Sequence, residues 1–369
     1  MVKTNKKKIC IVVSSLSKGG AERSTAILSQ MLAALEHDIH IITILDGVDY
    51  DHAGTVYNLG EIKKQNDTFF GRLNRFRLFK AYVSKHNFDL IIDNRARIIA
   101  YREVLLSKVI YRGVPVIYVI HNYNTKKAFT KYKWLNKWLF KNQYMTVVSE
   151  AARKKFKKKF DLKDIRTIYN GFNFHDIKMS ANETISVEIP EHFIVFFGRI
   201  DDKHKNLKLL LDAYAQSRLK KHDVKLLILG NGPDMDSIQA YANQLELSES
   251  TIFMGYINNP YPYVKKAKFA TLTSRFEGFP MVIPESLSLG VPVVSVDCNS
   301  GPNEVIKTGY NGMLVENYNA TKLSDAFNKM IEDDEFYNTC ASNASLSVQK
   351  FSQDKVKQSW DELINEICQ

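Results

Sequence analysis

The sequence predicts an α/β protein of two doubly wound, parallel-sheet domains facing a cleft. Three observations carry that expectation. The chain has 369 residues, more than one ordinary hydrophobic core organises. Short, nearly continuous apolar runs alternate with stretches of helical periodicity, the pattern of a parallel sheet covered on both faces. The alternation also occurs twice, on either side of a stretch poor in periodic apolar residues.

In the first half the strands are KICIVVSS, HIITIL, FDLIIDN, VPVIYVIHN, YMTVVSE and IRTIYNG, with helical segments such as AERSTAILSQMLAALE between them. The second half repeats the scheme with HFIVFFGRI, VKLLILGNG, TIFMGY, KFATLTSRF, VPVVSVDCNSG and NGMLVE. Residues 171–190, GFNFHDIKMSANETISVEIP, read as a linker, which sets the domains at 1–170 and 191–350. The last segment, FSQDKVKQSWDELINEICQ (351–369), is an amphipathic helix with no strand after it, and its pattern suits packing on either domain.

The formal charge of +11 conceals an asymmetry. Residues 1–170 hold 32 Lys and Arg against 14 Asp and Glu, whereas the remainder holds 19 against 26. A basic half joined to a mildly acidic half calls for an anionic partner on the first half alone, a nucleic acid or an anionic membrane surface. Cys10, Cys298, Cys340 and Cys368 are scattered, with no CxxC pair and no zinc-type spacing, as expected of reduced thiols in a cytosolic protein. The apolar run after the first lysines is too short for a signal peptide, and no stretch approaches membrane-spanning length.

In doubly wound folds ligands bind where the carboxyl ends of the strands open, and here the post-strand loops are the unusual parts. After the first strand, Gly19-Gly20 opens a helix, a place suited to an anion because free N–H groups and the helix dipole point outward. A plain turn into a helix fits the same residues, and the spacing is not that of a dinucleotide fingerprint. The strand HFIVFFG ends in Gly198-Arg199, and Lys205 follows at the start of KNLKLLLDAYAQ. Two cations converging there suit a diphosphate, since uncompensated positive charge at a helix N-terminus is unfavourable; two solvated surface charges are the ordinary alternative. Gly230 sits in a further glycine-rich turn, LILGNGP. In SRFEGFPMVIPESLSLG, Glu277 lies in the loop after a strand and Glu285 in the second turn of a helix opened by Gly278-Phe279-Pro280 and closed by Gly290. Carboxylates so placed can accept hydrogen bonds from sugar hydroxyls. Glu277 also reads as an ordinary N-terminal acid, but Glu285, among apolar neighbours, asks for a polar partner.

These motifs together resemble the retaining family 4 glycosyltransferases of the GT-B fold. The resemblance rests on GGAER, on GRIDDKHKN, and on EGFPMVIPE followed by SLSLGVPVVSVDCNSGPNEVI, in the family's order and over nearly the whole chain. It implies that Arg199 and Lys205 bind the diphosphate of a UDP-sugar donor, Glu285 the ribose hydroxyls, and Glu277 the hydroxyls of the transferred sugar. It further implies that Gly278 and Phe279, beside Pro280, contact the sugar through backbone amides, with Gly198 and Gly230 lining the nucleotide. Gly19 and Gly20 would approach the phosphates from the first domain, and His121 would lie near the acceptor, although a histidine capping a strand end reads almost the same way. The family's last helix crosses back to the first domain, which assigns 351–369 there. Retention of configuration also comes from the family; no carboxylate nucleophile is evident, so front-face displacement is the expected route. No metal or other cofactor is expected, and Asp49-Tyr50-Asp51 and Asp234-Met235-Asp236 are taken as chance copies of a metal-binding DxD.

The basic half has its own signal. KKAFTKYKWLNKWLFKNQ sets Lys127, Lys131, Lys133, Lys137 and Lys141 among Trp134, Leu135, Trp138, Leu139 and Phe140, and ARKKFKKKF follows. That is the composition of an interfacial helix on anionic lipid, and also of an amphipathic core helix with a solvated basic face. No nucleic-acid recognition motif accompanies the charge. The expectation is therefore a peripheral enzyme on the inner face of the cell membrane, adding a hexose or N-acetylhexosamine to a glycan acceptor carried on polyprenyl diphosphate, in capsule, O-antigen or exopolysaccharide assembly. A GT-B UDP-sugar 2-epimerase and a non-catalytic basic module are the alternatives; the first should lack the EGFP-to-Glu285 element, and the second leaves the second domain's loops without a use.

Overall fold

The computed structural model describes residues 6–17 and 19–368. Thirteen strands appear in it: β1 (Lys8–Val13), β2 (Asp38–Thr43), β3 (Thr55–Asn58), β4 (Leu90–Asp93), β5 (Val116–Ile120), β6 (Tyr144–Val147), β7 (Asp164–Thr167), β8 (Phe193–Phe197), β9 (Lys225–Leu229), β10 (Thr251–Gly255), β11 (Ala270–Leu272), β12 (Val293–Asp297) and β13 (Gly312–Glu316). They form a seven-stranded sheet in the order β3-β2-β1-β4-β5-β6-β7 and a six-stranded sheet in the order β10-β9-β8-β11-β12-β13, parallel throughout.

The chain packs as two units. One comprises the residues up to Gly171 together with those from Gln353 onward; the other is Phe172–Ser352. In the first, alternate residues of each strand feed two separate cores, as the twofold period of a strand requires. Cys10, Val12, Ile91 and Tyr118 point to one face, and Ile9, Ile11, Ile92 and Ile117 to the other. The second face is finished by the helix Gln353–Ile367, whose Val356, Trp360, Leu363 and Ile364 recur at helical spacing and join that core beside Leu28 and Leu32. Arg166 pairs with Glu366 at 2.5 Å at its end. In the second unit Ile194, Phe196, Leu226, Ile228, Val294 and Val296 build the corresponding core with the helices Leu207–Gln216 and Ala320–Glu332.

Two boundaries and one strand differ from expectation. Residues 171–190 are not a bare connector: Phe174–Ser180 is helical with Phe174 and Ile177 buried, and Asn259 Nδ2 donates to Ser180 O at 2.8 Å, so this stretch packs within the second unit. Phe351 also stays there, its ring 5.2 Å from that of Phe279, and the first unit resumes only at Gln353. The edge strand β3 has no counterpart in the sequence reading, because TVYN carries one aliphatic residue and is only half-buried.

Each sheet has one place where neighbouring strands are not consecutive and the connections leave in opposite directions. In the second unit it lies between β8 and β11, in the first between β1 and β4. Loops leaving such strand ends diverge and open a crevice.

Candidate active site

Between β8 and β11 the two diverging loops are laced together. Arg275 N donates to His204 O at 2.8 Å, Thr273 Oγ1 to Lys205 O at 2.9 Å, and His204 Nε2 meets Phe276 O at 2.9 Å. The lacing delivers the Lys205 ammonium to Glu277 Oε1 at 2.8 Å, with His204 Nε2 3.9 Å from the same oxygen. Glu277 is 7% exposed. Burial alone would raise its pKa, but the charges of Lys205 and His204 and the Lys205 hydrogen bond outweigh it and hold the carboxyl below its usual range. Lys205 therefore is not the uncompensated cation expected at a helix N-terminus. It is the last residue of the short helix Asp202–Lys205, and the following helix starts at Leu207, because Asn206 adopts φ 55° and ψ 50° and breaks the run.

Arg199 is exposed, and its guanidinium has no hydrogen-bond or ion-pair partner among the described residues. The glycines beside it act through close approach rather than by presenting N–H groups. Gly198 N donates to Leu229 O and Gly230 N to Gly255 O, so both amides are already used. A Cβ at Gly230 would lie 1.8 Å from Gly198 O, and its φ is +145°.

Glu285 answers the question its apolar neighbours raise. It is 2% exposed, and the Tyr261 hydroxyl donates to its Oε1 at 3.2 Å. The helix carrying it is Val282–Ser288, which puts Glu285 in the first turn rather than the second and leaves Gly278, Phe279 and Pro280 in the preceding loop. That loop is backed by the turn after β12: Ser300 Oγ donates to Gly278 O at 3.1 Å, and a Cβ at Gly301 would stand 2.4 Å from Pro280 Cδ.

In the first unit Gly19 is the N-cap of the helix Gly20–Ala33, and the Glu22 side chain lies against it and accepts from its own backbone N–H. His121 follows β5, with Nε2 3.0 Å from Asn94 Oδ1. Burial, and then the charge of Arg97, hold its pKa down at about 4. The lysine-rich segment divides differently from expectation. In the helix Lys133–Phe140, Leu135, Leu139 and Phe140 are core residues, whereas Trp134 and Trp138, one turn apart, are 69% and 57% exposed, with Lys131 and Lys133 exposed too and the Lys108 ammonium 4.5 Å from the Trp138 ring centre. Lys141 pairs with Asp161 at 2.6 Å, and Lys127 is exposed. Of the DxD triplets, Asp234 Oδ2 accepts from Asp202 N at 2.8 Å and so fixes the Lys205 loop, while Asp49 N donates to Leu16 O. Among the described residues no three His, Cys, Asp or Glu side chains gather as a metal site, and no helix is long and apolar enough to cross a membrane.

Residues 18–175 match the model described as Glycosyltransferase Family 4, and residues 183–346 the one described as Glycosyl transferases group 1. The chain is 30% identical, over 96% of its length and 98% of the relative's, to the N-acetylgalactosamine-N,N'-diacetylbacillosaminyl-diphospho-undecaprenol 4-alpha-N-acetylgalactosaminyltransferase of Campylobacter jejuni. The chain belongs to glycosyltransferase family 4. A second Campylobacter jejuni glycosyltransferase, named for alpha-1,4-N-acetyl-D-galactosaminyl transfer to a diNAcBac-PP-undecaprenol glycan, is 25% identical over 98% of the chain and 99% of its own length. Anabaena HepE, solved with UDP and glucose, superposes with a TM-score of 0.77 at 21% identity over 98% of this chain and all of its own, which identifies the GT-B fold. In this family 4 transferase, three features, two in the second unit and one in the first, lay outside the sequence reading. His204 stacks on Phe276 at 4.6 Å and stands by Glu277; Tyr261 holds Glu285; and a buried charge cluster of Asp93, Arg95, Arg97 and Glu103 lies behind His121. Histidine inside GRIDDKHKN was the available signal for the first, and two arginines spaced one residue apart after the strand LIID for the last.

Proposed function

We propose that this enzyme transfers a hexose or N-acetylhexosamine from a UDP-sugar, with retention and without a metal, to a glycan carried on polyprenyl diphosphate in bacterial polysaccharide assembly. The observation that carries the donor side is the Lys205–Glu277 pair beside the unpartnered Arg199, on loops that diverge from a sheet's switch point. In this reading Arg199 and Lys205 take the diphosphate, and the charge that builds on the leaving oxygen is met by their cations. Glu277 accepts from hydroxyls of the sugar, the amides of the Gly278–Phe279 loop reinforce it, and Glu285 holds the ribose. The bond from the sugar C1 to the phosphate oxygen breaks as the bond to the acceptor oxygen forms on the same face, and the acceptor's proton passes to the departing phosphate. His121 stands on the acceptor side.

The acceptor class is supported by the names of the two Campylobacter jejuni relatives, which act on undecaprenol-diphosphate glycans. The exposed Trp134 and Trp138 with Lys127, Lys131, Lys133 and Lys137 are proposed to rest on the anionic inner face of the membrane, at about 1 kcal/mol per cation. The experiment is release of nucleoside diphosphate from UDP-glucose, UDP-galactose, UDP-GlcNAc and UDP-GalNAc in EDTA, with an undecaprenyl-diphosphate glycan present and Glu277→Ala alongside. Turnover of one donor by the wild type alone is expected. Equal turnover by Glu277→Ala, or turnover of no donor with any such acceptor, overturns the reading.

A further inference from the structure

Behind His121 the first unit buries four charges: Asp93, Arg95, Arg97 and Glu103, none more than 4% exposed. Arg95 accounts for both carboxylates, at 2.6 Å from Asp93 Oδ2 and 3.3 Å from Glu103 Oε2. Tyr111 adds its hydroxyl to Asp93 Oδ2 at 3.2 Å. Arg97 is used differently. Its Nη1 is 3.8 Å from Asp93 Oδ1, too far for a hydrogen bond, and its donors go to main-chain oxygens: Nη1 to Asp93 O at 3.1 Å and Nη2 to Val119 O.

Those two carbonyls have a particular position. The ladder between β4 and β5 runs Ile91–Val116, Ile92–Ile117, Asp93–Tyr118 and stops there. Asn94 and His121, whose side chains meet at 3.0 Å, lie beyond its end, where no strand bond fixes the spacing of the two chains. The planar guanidinium fork bridges Asp93 O, one residue before Asn94, to Val119 O, two residues before His121, and so continues the ladder by one rung made of side chain. Tyr118 lies under the guanidinium, which is 5.7 Å from the ring centre, and Arg97 N is tied to Ala128 O at 3.1 Å, so the residue that carries the fork is also held at its main chain.

We propose that Arg97 is a positioning residue for His121: its fork sets the Asn94–His121 contact, with Nε2–H of a neutral imidazole donated to Asn94 Oδ1, and its charge adds to burial in keeping that ring neutral. That tautomer leaves Nδ1 as the lone-pair nitrogen, the form in which an imidazole accepts a hydrogen bond from an acceptor hydroxyl and orients it, while the attacking hydroxyl's own proton still goes to the departing phosphate. The charges around the ring agree with this assignment. Asp93 and Glu103 are both engaged by Arg95, and Lys155, from the helix Glu150–Phe160, is held on Tyr123 O at 2.8 Å and over its ring. Arg97 is the cation that acts on His121 directly, adding to the effect of burial. The inference rests on the reading of His121 as an acceptor-side group, and its test separates the two.

The first measurement needs no activity: nitrogen and carbon NMR of the His121 ring in the full-length wild-type protein. A neutral ring with the proton on Nε2 down to at least about pH 5 is expected; a midpoint near the ordinary 6.5, or a proton on Nδ1, overturns the proposal. The second uses Arg97→Lys, which keeps the charge and loses the fork, and Arg97→Met, which loses both. Both should lower kcat by about tenfold to a hundredfold with the donor KM little changed, as misplacement near reacting atoms does. The acid limb of the kcat profile should move up from about 4 in Arg97→Met, short of the ordinary 6.5 because burial remains, and stay low in Arg97→Lys. In a His121→Ala background Arg97→Lys should cost nothing further; an undiminished loss there shows a general structural role and overturns the proposal. Should Arg97→Met not fold, the wild-type titration and the lysine variant decide. Should His121→Ala itself transfer normally, His121 has no acceptor-side role, while the ring titration still decides whether Arg97 positions it.

Discussion

Glu277 and Lys205, one on each loop of the β8–β11 crevice, meet at 2.8 Å with the carboxylate almost wholly buried. A carboxyl whose folded pKa is depressed contributes stability that is complete above its unfolded value, 4.5, and that is lost as pH falls through the lower folded value. Lys205→Met removes the largest attraction and leaves burial in control, which raises the pKa and reverses the slope. Between about pH 7 and pH 5 the wild-type Tm should stay level, whereas that of Lys205→Met should rise on acidification. Calorimetry across that interval checks it; parallel curves would show that Lys205 does not govern Glu277.

Gly230→Ala tests close packing of the two glycine turns. A methyl group 1.8 Å from Gly198 O at φ +145° cannot be accommodated without moving backbone. A loss of roughly 1–3 kcal/mol in urea unfolding is expected, along with weaker UDP binding by calorimetry, since Arg199 follows Gly198 directly. Gly290→Ala, at φ +80° but with nothing near its Cβ, should cost less.

The helix Lys133–Phe140 separates buried from exposed apolar residues. Leu139→Ala should cost about 2–5 kcal/mol, because Leu139 is in the core. Trp134→Ala with Trp138→Ala should leave Tm within about 1 °C, both rings being exposed, and should reduce co-sedimentation with anionic vesicles severalfold. Unchanged sedimentation, with these tryptophans absent and the exposed lysines neutralised, would sink the membrane reading.

Trp360→Ala should destabilise the first unit by about 3–5 kcal/mol, since Trp360 packs among Ile9, Ile11 and Leu32. Hydrogen exchange resolved by peptide should show the loss in β1 and β2 and leave β8 to β13 protected.

Strand sequences such as IVVSS and FIVFFG announced themselves because burial on both faces leaves no room for polar alternation. Strand β3 was silent for the converse reason: a half-buried edge needs few apolar residues. Glu285 was legible as a carboxylate out of place among apolar neighbours, and Glu277 as one in the loop that follows a strand. What they meet was not, because Tyr261 and Lys205 arrive from 24 and 72 residues away. Arg95 and Arg97 drew no reading, since arginine after a strand is so often exposed, and only the sheet order brings Val119 O to meet Arg97. Asn206 hid a break within what reads as one continuous helix, its left-handed backbone being tolerated by asparagine better than by most residues.

The helix Gln353–Ile367 has a temporal consequence during synthesis. The sheet β1–β7 emerges from the ribosome first, yet Val356, Trp360, Leu363 and Ile364, which cover one of its faces, emerge after the whole of the second unit. At about 5–20 residues per second, that face waits roughly ten seconds or more without its cover. A nascent chain stalled before Gln353 therefore presents a sticky aliphatic surface to whatever is nearby, and a chaperone that shields Ile9, Ile11 and Leu32 for that interval would raise the yield of native enzyme.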